Sequence, residues 1–183
     1  MNLMTSKFAQ IWDDLKSEFP YSTIKECSLD DSKKDVRTYL VEADINGDVF
    51  DFDEIKESWA KNKFECEDPK SLDCLYVKNE TLYLVEFKNK VKIKKQEYLG
   101  DIKLKIHDSL SMLNYLYGFE KTDFQQIEVI IVSKASSEVQ FSKYMNKISG
   151  VSCPKALEFI QTIYRIKISK MTNDEFLQKI QGL

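Results

Sequence analysis

Two short apolar runs on either side of a polar tetrapeptide do most to limit what this 183-residue chain can fold into. From Ser71 to Asn89 it reads SLDCLYVKNETLYLVEFKN, and the interruption Lys78-Asn79-Glu80-Thr81 is a hairpin signal of ordinary loop length. Closing that loop in register sets Val77 opposite Leu82, Leu75 opposite Leu84 and Asp73 opposite Glu86, because side chains alternate faces with period two. A two-residue turn on Asn79-Glu80 gives the same pairing. Two carboxylates then stand across the ladder with β-carbons roughly 5 Å apart, at the end of a face that is otherwise Leu and Val. Like charges so placed repel. Lys88 lies two residues beyond Glu86 and points from the same face toward the same spot. A chain that keeps this pairing is expected to put a cation between the acids.

Composition bounds the setting of that hairpin. A length of 183 residues predicts one domain, 1–183, and 43% hydrophobic with 31% charged residues describes a soluble globular protein. Five Gly and three Pro leave no room for a flexible linker. No apolar run has the length of a membrane span, and the start, MNLMTSKFAQIWDDL, is amphipathic and acidic, unlike a signal peptide. Cys27, Cys66, Cys74 and Cys153 lack metal-ligand spacing, so the expectation is a cytoplasmic chain with reduced thiols.

A net charge of -3 argues against a protein that coats nucleic acid by bulk charge. Distribution says more than the sum. Lys88, Lys90, Lys92, Lys94, Lys95, Lys103 and Lys105 face only Glu97 and Asp101 in the same stretch, whereas Glu42 to Glu54 holds six acids and no Lys or Arg. The bland reading of the lysine run is a solvated surface that keeps an edge strand from aggregating.

Along the chain, Leu3, Met4, Phe8, Ile11, Trp12, Leu15 and Phe19 form a helical stripe over residues 3–18 that stops at Phe19-Pro20. Residues 37–52 alternate like two strands around Asn46-Gly47, a two-residue turn signal, and so predict another hairpin. Asp44, Asn46 and Asp48 match the first three ligand positions of a calcium loop. That reading fails at Val49 and Ile55, where the loop needs Gly and Glu. Residues 53–62 predict a short helix with acids at its start, followed by a strand at Lys63 to Glu67.

After Gly100-Asp101 a helix is expected over 101–117, with Ile102, Ile106, Leu110, Leu113, Leu116 and Tyr117 as its buried stripe. Lys103 and Lys105 flank that stripe on opposite sides, as phosphate-reaching or as snorkelling side chains. His107 falls on the polar side, and with no second histidine neither zinc chemistry nor a His-dependent nucleophile is supported. Ile127 to Val132 is a buried parallel strand reached by that helix. Val139 to Ile148 and Pro154 to Ile160 look helical, Ile163 to Ser169 alternates like an edge strand with Arg165 and Lys167 outward, and Thr172 with Glu175 makes a capping box for a last helix. The sum is an α/β fold with a mixed central sheet of about four to six strands flanked by helices.

The arrangement Asp73, twelve residues, Glu86-Phe87-Lys88 resembles the PD-(D/E)xK phosphodiesterase superfamily, which includes restriction endonucleases and Holliday-junction resolvases. The match covers the hairpin 72–89, and Leu72 stands where the family often has proline. The resemblance implies a restriction-endonuclease-like sheet and a metal-dependent nuclease in which Asp73, Glu86 and Lys88 are catalytic. Asp73 and Glu86, with the Phe87 backbone carbonyl, would hold Mg²⁺, or Mn²⁺ in its place, and Lys88 would position or activate the attacking water. A helix ahead of the sheet often adds an acid to this site in the family, which makes Glu54 and Glu57 candidates, with Glu65 further off. Lys90, Lys103 and Lys105 are the expected nucleic-acid contacts, and the implied partner is nucleic acid, DNA ahead of RNA, with no membrane. A homodimer is the oligomer to look for, because cutting both strands of a duplex usually takes two sites. The alternative is a binding module that keeps the fold without the reaction and acts on nucleic acid or a protein partner. A purely structural protein would have to explain opposed acids with no cation.

Overall fold

The computed structural model describes residues 6–30, 38–42, 48–64, 69–88, 95–133 and 155–181. In chain order, α1 (Lys7–Glu18) and the short α2 (Ile24–Cys27) precede β1 (Leu29–Asp30), β2 (Thr38–Tyr39) and β3 (Phe50–Asp51). Next, α3 (Phe52–Trp59) runs into a π-helical turn (Ala60–Phe64), and β4 (Cys74–Lys78) and β5 (Thr81–Lys88) follow. The chain continues through α4 (Lys95–Tyr117), α5 (Lys121–Phe124), β6 (Ile127–Ser133), α6 (Lys155–Tyr164), β7 (Lys167–Thr172) and α7 (Asn173–Gln181).

The expected hairpin forms the middle of a five-stranded sheet of order β3-β4-β5-β6-β7. Val77 pairs with Leu82, Leu75 with Leu84 and Cys74 with Val85. The connection is the two-residue turn. Asn79 and Glu80 both have positive φ, 48° and 59°, which is the turn whose twist matches the strands it joins. β3, β4 and β5 are antiparallel, while β5, β6 and β7 are parallel. Parallel neighbours need a crossover, and α4 supplies it between β5 and β6. The fold is therefore α/β with a mixed sheet flanked by helices, as the residue pattern predicts.

Period two divides the sheet's side chains between two cores. Leu75, Leu82, Leu84, Val129, Ile131 and Ile168 pack with Phe8, Ile11 and Leu15 of α1 and with Ile102, Ile106, Leu110 and Leu113 of α4. Cys74, Tyr76, Tyr83, Val85, Phe87, Ile130 and Val132 pack with Ile24 of α2 and Phe176 of α7. Each fully buried Leu, Ile or Phe contributes about 1.5–3 kcal/mol by leaving water, so these layers hold the sheet rigid behind its ends. Glu86 sits in the same alternation as Leu82 and Leu84, on the α4 face, and has no exposed surface.

Several elements depart from the sequence reading. Residues 37–52 do not make a hairpin: β2 pairs with β1, while β3 pairs with β4 through Phe50↔Leu75 and Asp51↔Cys74. Phe50 is drawn to the sheet edge by core packing, with the Trp12 ring 4.8 Å away, and the expected Asn46-Gly47 turn lies outside the described residues. Lys63 and Phe64 belong to the π-helical turn rather than a strand. The helix expected from Asp101 already runs from Lys95 and passes through Gly100. A mid-helix glycine costs only about 1 kcal/mol, and the packing of the Ile102–Leu113 stripe outweighs it. Near the C-terminus α6 extends to Tyr164, Arg165 turns the chain at φ 59°, and β7 starts only at Lys167.

Other expectations are met. Ser6 caps α1, whose Phe8, Ile11 and Leu15 are buried. The capping box ahead of α7 is present, with Glu175 N–H donating to Thr172 Oγ1 at 3.2 Å and Thr172 N–H to Glu175 Oε2 at 2.8 Å. Leu3, Met4, Asp44, Glu65, Lys90 and the helix expected over 139–148 lie outside the described residues. No helix among the described residues is long and apolar enough to cross a membrane.

Candidate active site

Asp73 lies one residue before β4 and is pinned from three directions. Its N–H donates to the Val85 carbonyl at 2.9 Å and its carbonyl accepts the Phe52 N–H at 3.1 Å. Its Oδ2 accepts the Phe87 N–H at 2.6 Å. The side chain thus serves as the acceptor for a strand amide where the β4–β5 ladder runs out. The ladder ends at Cys74↔Val85, and the Asp73 N–H shares the Val85 carbonyl rather than continuing the register, so Asp73 does not stand in the predicted cross-strand place opposite Glu86; the two acids meet through a shared side-chain partner instead.

The expected cation is present, and it is an ammonium. Lys105 Nζ of α4 donates to Asp73 Oδ1 at 3.0 Å and to Glu86 Oε2 at 2.9 Å. Lys88 Nζ forms an ion pair with Glu86 Oε1 and stands 3.8 Å from Asp101 Oδ2. Three of the expected residues, Asp73, Glu86 and Lys88, are brought together with Lys105 at one point.

The rotational setting of α4 decides which lysine arrives. Ser109 Oγ accepts the Leu72 N–H at 3.0 Å and Asp108 Oδ2 accepts the Lys70 N–H at 3.0 Å. Both lie about one helical turn from Lys105 on the same side, as does Asp101. These bonds tie α4 to the segment that leads into Asp73, so Lys105 overlies the acids and Lys103 stays exposed. His107 is also exposed, with Nδ1 3.3 Å from Asp108 Oδ1.

The acids stand in a cavity of about 360 Å³ lined by Glu26, Cys27, Leu29, Asp51, Asp53, Asp73, Glu86, Phe87, Lys88 and Lys105. The junction of β3 and α3 adds acids to this lining, Asp51 at the end of the strand and Asp53 in the first helical turn. Glu54 and Glu57, the expected candidates, are exposed and do not line it. Asp51 caps α3 by accepting the Asp53 N–H at 2.9 Å and the Glu54 N–H at 3.2 Å. Asp53 accepts the Ser71 hydroxyl and lies 3.6 Å from Lys56 Nζ. An aspartate followed two and three residues later by acids was the available signal, because an N-cap acceptor with acids in the first turn marks a helix start.

Charge at the site is unevenly borne. Burial first, and the Glu86 carboxylate second, push the Asp73 carboxyl up to about 8, against the opposing pull of Lys105 and the Phe87 N–H. Burial works against the Lys105 charge, but Glu86 and Asp73 outweigh it and hold the ammonium above its ordinary value. One ammonium shared by two carboxylates stays firmly charged, while the acid that must share it carries the penalty. Burial also raises Asp51, although the α3 amides offset part of this. Beneath the site, burial and the neighbouring Cys27 push the Cys74 thiol well up, which suits an unreactive thiol.

Among the described residues no three Asp, Glu, Cys or His side chains are grouped to hold a metal ion. Two carboxylates do meet at a single cation, and the ammonium there stands in for any positive ion that would bridge them. Oxygen donors alone suit Mg²⁺, which takes one or two carboxylates and keeps waters for its other positions, whereas zinc would want nitrogen or sulfur. Asp73 and Glu86 supply oxygen donors of the type such an ion takes. Compared with family models, with curated proteins and with solved structures, the chain finds no match.

Proposed function

We propose that this protein is a Mg²⁺-dependent nuclease of the PD-(D/E)xK kind, hydrolysing phosphodiester bonds of DNA or RNA. The observation that carries the reading is the meeting of Asp73 Oδ1 and Glu86 Oε2 at one cation, 3.0 and 2.9 Å from its nitrogen, with Lys88 beside them. In this reading Asp73, Glu86 and the Phe87 carbonyl hold the metal. When bound, Mg²⁺ or Mn²⁺ supplies Lewis acidity toward a phosphate oxygen and makes a bound water more acidic. Lys88 is kept in place between Glu86 and Asp101, where its ammonium orients the attacking water and offsets negative charge as it builds on the phosphate. The Phe87 N–H holds the Asp73 carboxylate in the orientation that this requires.

The same ammonium favours a second reading. Lys105 already satisfies both acids, as it would in a protein that keeps the arrangement for nucleic-acid or protein binding without the reaction. Thermal melting in Mg²⁺ and Mn²⁺ separates the two, since an ion that binds only the folded state raises the midpoint. A rise at millimolar metal that is absent from Asp73→Ala supports the nuclease. An unmoved midpoint favours the binding module.

A further inference from the structure

Lys105 and a divalent ion need the same two oxygens, so both cannot hold Asp73 Oδ1 and Glu86 Oε2 at once. We propose that Lys105 is a displaceable internal counterion: it holds the acid pair until a divalent cation replaces it, and the released ammonium then binds a phosphate of the nucleic acid. The inference rests on the nuclease reading for the identity of the ion and of the phosphate.

Three observations lead there. Glu86 is fully buried and Asp73 is half-buried, with 17% of its side chain exposed, and an acid pair so placed needs a cation beside it once both protons are lost. Lys105 has the freedom to leave, because its side chain lies on an open cavity and retains 17% exposure, and a lysine stem can swing without moving its helix. The other charges are already engaged: Lys88 by Glu86 and Asp101, Glu26 by Ser22 and Thr23, Asp51 by the α3 amides, Asp53 by Ser71 and Lys56. A divalent ion that takes over the acids therefore leaves Lys105 as surplus positive charge at the mouth of the site, where a phosphate meets it. Phosphate affinity then depends on the metal being bound.

The test is calorimetric titration of Mn²⁺ into the parent and into Lys105→Met, which keeps an unbranched stem one atom shorter and removes the charge. If Lys105 occupies the acid pair most of the time, the variant binds Mn²⁺ at least about tenfold more tightly, because apparent affinity is reduced by the fraction of sites already taken. In Ca²⁺, the parent should bind a labelled oligonucleotide about tenfold better than the variant does, the loss expected for one phosphate contact. Equal or weaker Mn²⁺ binding by Lys105→Met, with the parent binding normally, overturns the displacement while leaving the metal site in place. Equal oligonucleotide affinity overturns the phosphate contact. No Mn²⁺ binding by either protein at millimolar ion overturns the nuclease reading, and the inference with it. Should Lys105→Met fail to fold, the parent alone decides. Nitrogen-detected signals of the Lys105 ammonium, protected by its bridge, should disappear on saturation with Mg²⁺. Their persistence overturns the proposal.

Discussion

The Phe87 amide donates to Asp73 Oδ2 at 2.6 Å, a bond between the backbone of one strand and the side chain at the start of its neighbour. It fixes the Asp73 carboxylate beside Glu86, because the other carboxylate oxygen is left to face Lys105. An asparagine at 73 can present its amide oxygen to the same Phe87 N–H and keeps the shape, but it cannot titrate and it turns a donating amide nitrogen toward Lys105.

The elevated Asp73 pKa makes metal-free stability fall as pH rises. Between the ordinary aspartate value of 3.8 and about 8 the native carboxyl holds its proton while the unfolded one has lost it, so the native state binds more protons and each step up in pH disfavours it. The stability this group contributes is complete below 3.8 and is lost by about 8. Asp73→Asn cannot titrate. The difference between the metal-free melting midpoints of variant and parent should therefore shift in the variant's favour from pH 4 to pH 8. Asp123 and Glu128, whose carboxyls lysine partners lower, and Asp51, which burial raises, titrate in both proteins and cancel in the difference. A variant that grows less stable than the parent with rising pH would show that Asp73 is an ordinary ionised partner.

Glu80 tests the hairpin register from its far end. With φ at 59° it holds a left-handed conformation that costs a residue with a β-carbon roughly 1–2 kcal/mol. Glu80→Gly should stabilise the fold by up to about 1 kcal/mol, less than the strain relieved because glycine also loses more freedom on folding. Urea unfolding measures it. A destabilised variant would mean that the two-residue turn and the pairing it sets are wrong.

What was legible in the sequence is what strict periodicity and a tight turn over-determine. The β4–β5 register followed from alternation plus Asn79-Glu80, since a slip of one residue would put Leu75, Leu82 and Leu84 on the wrong face. The β5–α4–β6 crossover followed from an apolar run after a helical stripe. β2 and β3 were misread because strands of two residues carry no usable period, and their partners are chosen by the packing of Phe50. Lys105 could not be told from Lys103, as both flank the same stripe and only the ties of Ser109 and Asp108 to residues 70–72 fix the rotation of α4. Asp51 and Asp53 line the cavity where Glu54 and Glu57 are expected, because the strand-to-helix junction at Asp51-Phe52 sits beside the acids, while Glu54 and Glu57 fall on the α3 face away from them.

Lys103, exposed on α4 two residues from Lys105, remains the expected outer phosphate contact. Lys103→Ala should weaken binding about evenly across sequences and flatten the dependence of log K on log salt by roughly one contact's worth. Titration of a labelled oligonucleotide at several salt concentrations gives that slope. If it does not change, Lys103 is a solvated surface lysine.

Cleavage itself is the most direct test of the account. Purified protein should be incubated with labelled single- and double-stranded DNA and RNA in Mg²⁺ and in Mn²⁺, beside Asp73→Ala, Glu86→Ala and Lys88→Ala variants whose folding is checked by circular dichroism. The account predicts metal-dependent cutting of at least one substrate, abolished by chelation and reduced about a hundredfold or more in each variant, since groups that act as a unit fail together. No cutting of any substrate by the folded parent in either metal would contradict it, and full activity in any one variant would remove that residue from the site.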